Sequence, residues 1–178
     1  NVGDSYRLGL EIDATVRLSN TFRWKPNIAL SDNRNIDFVF ERDGELENLG
    51  NTHIAYSPQL IAGNIITYQP NDDFQLSLLS KFVGKQYMGN IDSENSVLDS
   101  YTQTDFNIQY TINMNSFIKR IELSGLVNNI LDADIVSNGY FYTFDDDYSN
   151  PGTITTIEGA GYYPQAGINF LVGATLNF

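Results

Sequence analysis

The residues best equipped for chemistry are carboxylates. Phe144–Gly152 reads FDDDYSNPG, with Asp145, Asp146 and Asp147 in succession. Clustered carboxylates suit a hard cation such as Ca²⁺. The spacing here lacks the ligand order of a calcium loop, so the stretch is expected to be a solvated acidic loop and no metal site is assigned. His53 is the only histidine, and one imidazole makes no recognisable metal site. No serine, histidine and carboxylate stand at a spacing from which a nucleophile–base pair can be built. No catalytic and no cofactor-binding residue is therefore assigned, and the chain is not expected to be an enzyme. The aromatic residues are more informative. Tyr140, Phe141, Tyr142, Phe144, Tyr148, Tyr162 and Tyr163 crowd one segment. Tyr140, Tyr142, Tyr148 and Tyr162 are the candidates for stacking on a ligand from an external loop. The competing reading is an aromatic girdle or loop packing.

These residues need a scaffold, and the scaffold is written in period-2 alternation. In GINFLVGATLNF, Ile168, Phe170, Val172, Ala174, Leu176 and Phe178 alternate with more polar neighbours. The same pattern recurs in RLGLEIDATV, TFRWKPNIALS, FQLSLLSKF, TDFNIQYTIN and RIELSGLVN, and more patchily from His53 to Gln69. Alternation of this kind specifies β-strands with one apolar face. No segment carries a helical period. Pro26 cannot donate to a ladder and predicts a bulge or strand end. Seven strands result, and the connections between them alternate short and long. The long ones are Asp32–Thr52, Tyr87–Ser100 and Ile130–Gln165. An up-and-down arrangement gathers all the long connections at one end, which is the plan of an outer-membrane β-barrel.

Charge divides the chain the same way. The long connections hold 15 of the 22 acidic residues and only Arg34 and Arg42 among the bases, a net charge of −13, and the rest of the chain is +1. The total of −12 argues against a nucleic-acid partner. The 178 residues suit one domain, no run of apolar residues is long enough for a transmembrane helix, and the chain begins on Asn1 without a signal-peptide pattern. The expected inner faces carry Arg7, Glu11, Asp13, Arg23, Lys25, Lys81, Asp105 and Glu122, which suits a wet lumen better than the outside of a small soluble β-sandwich. Bacterial single-chain barrels usually have an even strand number. Seven strands would leave Phe178 on the short-turn side and Asn1 on the external side. The expectation is that residues 1–178 form the C-terminal segment of a larger barrel.

Several stretches resemble the last strands of TonB-dependent outer-membrane receptors, especially those of Bacteroidetes-type bacteria. They are SKFVGKQYMGN (Ser80–Asn90), LVNNILDADIVSNGYFY (Leu126–Tyr142) and YYPQAGINFLVGATLNF (Tyr162–Phe178). YRLGLEIDATVRL (Tyr6–Leu18) and NTHIAYSPQLIAGN (Asn51–Asn64) resemble earlier strands of the same region. The most specific parts are Val127–Leu131 and the terminal strand. The resemblance implies a barrel of about 22 strands, filled by a plug domain that is absent from this chain. It implies active import of a nutrient (siderophore, haem, cobalamin, glycan or peptide) driven through the TonB complex, which the missing N-terminal part would contact. In that family the terminal aromatic and the apolar residues before it are read by the barrel-assembly machinery. Phe170, Val172, Ala174, Leu176 and Phe178 match that signal. Outer-membrane lipid and lipopolysaccharide are the implied surroundings, and a surface lipoprotein lid is used by glycan-importing relatives. A passive porin wall and a soluble β-sandwich binding module are the alternatives, separated from the receptor by an upstream plug and by detergent dependence.

Overall fold

The computed structural model describes residues 3–178, so the expectation for Asn1 lies outside the described residues. Seven long antiparallel strands follow in chain order: β1 (Ser5–Asp13), β2 (Phe22–Asn35), β3 (Leu60–Asn71), β4 (Phe74–Val83), β5 (Tyr101–Asn113), β6 (Arg120–Asn128) and β7 (Asn169–Asn177). Each pairs with its neighbours in sequence, so the spatial order is the chain order. Two two-residue strands, Val16–Arg17 and Thr52–His53, also pair with β2. The sheet is open, with β1 and β7 as its edges.

Register sorts the side chains onto two faces. Leu10 stands opposite Leu30, Ile66 opposite Leu78, Phe106 opposite Val127, and Leu123 opposite Ala174. Directly opposed residues share a face. Leu8, Leu123, Phe170 and Val172 thus belong to one apolar face. Glu11, Lys81 and Glu122 belong to the other, where Gly63, Lys81 and Gln103 are aligned and Glu122 stands between Thr111 and Thr175. The concavities of the sheet lie on the polar face, which marks it as the inner surface of the wall. One of about 390 Å³ is lined by Lys25, Thr67, Gln75, Ser77, Asn107 and Gln109 among others.

Pro26 makes no bulge. It sits inside β2, opposite Asn64, with the register unbroken on either side. The reason lies in its other neighbour. The carbonyl of Pro26 accepts from the Ala14 N–H at 3.0 Å. In an antiparallel strand a residue's N–H and C=O point the same way. The missing donor of Pro26 therefore faces the break between Asp13 and Val16, where no acceptor is left waiting. The ladder shifts instead between Tyr68 and Asn71, beside Pro70 at the tight β3–β4 turn.

The three long connections are structured. The first carries a hairpin, Val39–Arg42 with Glu45–Asn48, closed by Asp43 and Gly44 at φ 55° and 79°. Positive φ at both central residues matches the twist of a two-residue hairpin, and Asp-Gly tolerates it. The second pairs Gln86–Tyr87 with Val97–Leu98 across a 3₁₀ turn at Glu94–Ser96. The third holds the longest hairpin, Val136–Asp146 with Thr155–Pro164. We call these three connections, gathered at one end of the wall, the cap.

Candidate functional site

Most of the buried side chains lie in the cap, although Ser77, Val83 and Thr104 are buried in the wall. Met88, Leu98 and Ile135 are buried in the cap, together with the polar residues Asn35, Thr52, Ser96 and Asn129. Every buried side-chain polar atom among the described residues has a partner. Asn35 donates to the Thr52 hydroxyl at 3.1 Å and to the His53 carbonyl at 3.2 Å. Asn129, in the Val127–Leu131 stretch, adopts φ 49°, a left-handed conformation that Asn tolerates better than most residues. Its amide donates to the Ala133 carbonyl and its side-chain oxygen accepts the Ala133 N–H, so this one residue shapes the exit from β6.

Glu158 is the hub. It accepts from Arg42 of the first connection at 3.3 Å, from the Ser93 hydroxyl, and from Asn95 of the second at 2.9 Å. Around it, Asp43 and Thr156 exchange bonds in both directions: the Asp43 N–H donates to the Thr156 hydroxyl at 2.8 Å, and the Thr156 N–H donates to the Asp43 carboxylate at 2.7 Å. The Tyr56 hydroxyl donates to the Gly139 carbonyl at 2.8 Å. All three connections are thereby locked into one body. None of this had a local signal in the sequence, since Glu158 stands 116 residues from Arg42.

His53 is engaged rather than free. Its Nδ1 lies 2.8 Å from the Asp92 carboxylate, whose other oxygen accepts the His53 N–H at 2.8 Å. Its Nε2 lies 3.4 Å from the Gln59 amide, and the Arg34 guanidinium comes within 3.2 Å of Nδ1. The ring packs on Tyr87 with centroids 5.0 Å apart. Arg34 beside it pairs with Asp32 at 2.8 Å, and Asp32 also accepts from the Tyr6 hydroxyl.

The Asp145–Asp147 run builds a turn. Asp146 Oδ1 accepts from the N–H groups of Tyr148 and Ser149 at 3.1 and 3.0 Å. These bonds, led by the Ser149 N–H, hold the Asp146 carboxyl below the usual carboxylate range. Asp145 accepts from the Thr156 hydroxyl at 2.7 Å. Among the described residues no three histidine or acidic side chains converge in a way that would hold a metal ion.

The aromatic candidates divide. Tyr140, Tyr142 and Phe144 form a ladder along one strand of the long hairpin. Successive ring centroids are 6.1 and 6.3 Å apart and the planes differ by 19°. The floor is glycine. Gly161 and Gly159 stand opposite Tyr140 and Tyr142, and a Cβ at either would come within 2.5 Å of the ring above it. All three rings remain about half exposed. Tyr162 lies on the other face of the hairpin and its hydroxyl reaches the Asn95 carbonyl at 3.4 Å. Tyr148 stands alone at the tip, 91% exposed. Phe141 is spent in packing beside Gly89, and Tyr163 leans on Tyr140 at 5.9 Å.

At the opposite end, Phe170, Val172, Ala174 and Leu176 lie on the apolar face of β7, opposite Val127, Gly125, Leu123 and Ile121. Phe178 follows, with its ring 5.1 Å from that of Phe117 in the β5–β6 turn.

A wall of sequential antiparallel strands, apolar outside and polar inside, with long structured connections at one end, defines a transmembrane β-barrel wall. A profile of TonB-dependent receptor-like β-barrels matches residues 1–130, and the chain belongs to that family. No curated protein sequence matches it significantly. Solved structures share the fold. The siderophore receptor PiuA of Acinetobacter baumannii aligns with a TM-score of 0.65 at 16% identity, over 98% of this chain and 22% of PiuA. The ferric-catecholate import receptor Fiu of E. coli K12, in its closed form, aligns at 0.67 and 16%, over 98% of this chain and 21% of Fiu. The ferric yersiniabactin uptake receptor FyuA of Yersinia pestis aligns at 0.60 and 17%, over 100% of this chain and 24% of FyuA. The chain thus spans about a fifth to a quarter of the length of these receptors.

Proposed function

We propose that this chain is the C-terminal wall segment of an outer-membrane receptor that imports a nutrient with TonB-derived energy. It is a transporter part and performs no chemistry of its own. The observation that carries this reading is the two-faced sheet in sequential order, whose register keeps an apolar surface toward lipid and a polar surface toward a lumen, within a chain of the TonB-dependent receptor family. The plug and the segment that meets the TonB complex lie outside this chain, and the rest of the barrel closes on β1 and β7. Outer-membrane lipid covers the apolar face, and lipopolysaccharide surrounds the acidic cap. The barrel-assembly machinery reads Phe170, Val172, Ala174, Leu176 and Phe178, which line the lipid-facing side of the last strand and its end.

The cargo contact in this segment is the aromatic ladder. Tyr140 and Tyr142, with Phe144, offer half-exposed rings over a glycine floor, a surface suited to a flat or ring-bearing ligand. Tyr148 and Tyr162 flank it from the tip and from the opposite face. The similar structures are a siderophore receptor, a ferric-catecholate import receptor and a ferric yersiniabactin uptake receptor, which supports a siderophore-type ferric complex as cargo over cobalamin, glycan or peptide. The test uses the full-length receptor in intact cells with and without TonB, offered ferric siderophores, haem, cobalamin, oligosaccharides and peptides in turn. One cargo should enter in a TonB-dependent manner, and Tyr140→Ala with Tyr142→Ala should reduce its uptake about tenfold, the effect of losing one to two kcal/mol of ring contact. Equal permeation of small solutes with or without TonB would replace this reading with a passive porin.

A further inference from the structure

Asn138-Gly139 is the only Asn-Gly step in the sequence. It lies near the start of the first strand of the long hairpin, Val136–Asp146. The register shifts there, between Val136 and Asn138, so that Ser137 is an extra residue. A bulge of this kind disrupts the ladder locally. The Asn138 side chain is exposed, whereas Gly139 is buried. The Gly139 N–H donates to Asn138 Oδ1 at 2.8 Å, so the side-chain amide is folded back onto the backbone nitrogen that follows it. That bond polarises the amide carbonyl and sets its carbon beside the nitrogen. Holding two reacting groups of one chain together removes much of the entropic part of a barrier. Glycine suits the second position because it has no Cβ to obstruct the approach. Asp43-Gly44, the one Asp-Gly step, is arranged differently. There the carboxylate accepts the Thr156 N–H of another connection at 2.7 Å and is drawn away from its own glycine.

Gly139 is also a point where the cap is joined. Its carbonyl accepts the Tyr56 hydroxyl at 2.8 Å, which ties the first connection to the third. A Cβ on Gly139 would lie within 2.5 Å of the Gly161 carbonyl oxygen and the Met88 sulfur, so the backbone fits here with no room to spare. Asn138 stands opposite Tyr163 and, two residues from Tyr140, shares the face of the aromatic ladder.

We propose that Asn138 is a site of spontaneous deamidation whose product unlocks the cap. The Gly139 nitrogen gives up its proton to hydroxide and attacks Asn138 Cγ. A bond forms between that nitrogen and Cγ, the bond from Cγ to the side-chain nitrogen breaks, and the amide leaves as ammonia after taking a proton from water. Water then opens the cyclic imide. Opening at one carbonyl gives aspartate. Opening at the other gives isoaspartate, in which the main chain runs through the former side chain and is longer by one methylene. Around Gly139 that extra length has nowhere to go, so the bond to Tyr56 is lost. Both products place a new carboxylate at the foot of the ladder. The packing of Gly139 resists ring closure, so the lock at Tyr56 sets the pace of the reaction that undoes it.

The test incubates the full-length receptor in native outer membranes at mildly acidic and mildly alkaline pH. Peptide mass spectrometry and labelling by an isoaspartyl methyltransferase follow the conversion. Asn138 should convert about tenfold faster than the exposed Asn20 and Asn115, which no glycine follows. The rate should rise with pH, because the attacking nitrogen must lose its proton. Tyr56→Phe, which frees the Gly139 carbonyl, should speed conversion about fivefold, the scale of one hydrogen bond. Asn138→Gln should remove the methyl acceptor at this position, since the longer side chain must close a larger ring. In converted receptor, amide exchange should quicken at residues 53–57 and 136–141 relative to fresh receptor. Conversion no faster than at Asn20 and Asn115, or a rate indifferent to pH or to Tyr56→Phe, would overturn the assignment of Asn138. Unchanged exchange in converted receptor would overturn its effect on the cap.

Discussion

In the wall, Leu8, Val172 and Phe170 are 70%, 82% and 74% exposed, whereas in the cap Leu98, Ser96 and Asn35 are exposed by 2% or less. The same chain therefore solves two different problems. The wall binds its strands through continuous backbone ladders and leaves its apolar side chains for a solvent that is itself apolar. The cap stands in water and must bury something, yet the apolar side chains it buries are few: Met88, Leu98 and Ile135. It uses hydrogen bonds instead, from Asn35, Asn129 and above all Glu158. A membrane protein segment can thus be rich in exposed leucine and well built at once, provided the polar economy is concentrated where water is.

The largest expected effect separates the two faces of the wall. In the intact barrel, Leu123→Arg or Val172→Arg should cost about 2–4 kcal/mol, as charge at a lipid-facing mid-membrane position does. Thr111→Arg, on the inner face beside Glu122, should change stability little. Denaturant refolding titrations in lipid vesicles measure both, and equal losses on the two faces would dissolve the distinction. A smaller effect should reach only the cap. Glu158→Ala removes the acceptor shared by Arg42, Ser93 and Asn95. Hydrogen exchange should then speed up together at residues 39–48, 86–98 and 155–158, by the equivalent of about 1–3 kcal/mol of opening free energy. Strands β3 to β5 should keep their protection. If only the 155–158 segment loosened, the cap would be three loops rather than one body.

Smaller again is the glycine floor. Gly159→Ala puts a methyl group against the Tyr142 ring. The expected cost is about 1–3 kcal/mol of overpacking, confined to the long hairpin, with altered near-ultraviolet circular dichroism from the displaced tyrosines. The smallest effect is at the tip. The folded-state value of Asp146 lies below its ordinary 3.8, so its contribution is present above that value and is lost as pH falls through the lower one. Amide exchange at Tyr148 and Ser149, corrected for its intrinsic pH dependence, should lose protection only below that range. In Asp146→Asn the step should vanish.

Much of the wall was legible in the sequence because alternation is a local property. Arg120–Asn128 was expected as a strand and has those bounds in the structure. The ends of β2 were harder. Asp32–Asn35 has no apolar alternation, yet these residues extend the strand because Tyr6 reaches Asp32 and Thr52 reaches Asn35 from elsewhere in the chain. Pro26 misled for a related reason: a proline is judged by what its missing N–H would have met, and that depends on a break in the neighbouring strand. The hairpin at Asp43-Gly44 did carry a recognisable turn signal, whereas Gly159 and Gly161, which face alternate tyrosines, lie inside a strand. The Glu158 hub carried none. A carboxylate in an acidic loop looks like any other until the fold brings an arginine and a serine to it.

The placement of charge also fixes a direction of travel. The long connections carry 15 acidic residues, while the rest of the chain is close to neutral. Bringing an ion into a low-dielectric interior costs several kcal/mol each even after relaxation. A cap of this kind crosses a bilayer only along a wetted path, and only while something holds that path open. Once the path closes behind it, the cap acts as a pawl. The wall can then neither slip back through the membrane nor turn over.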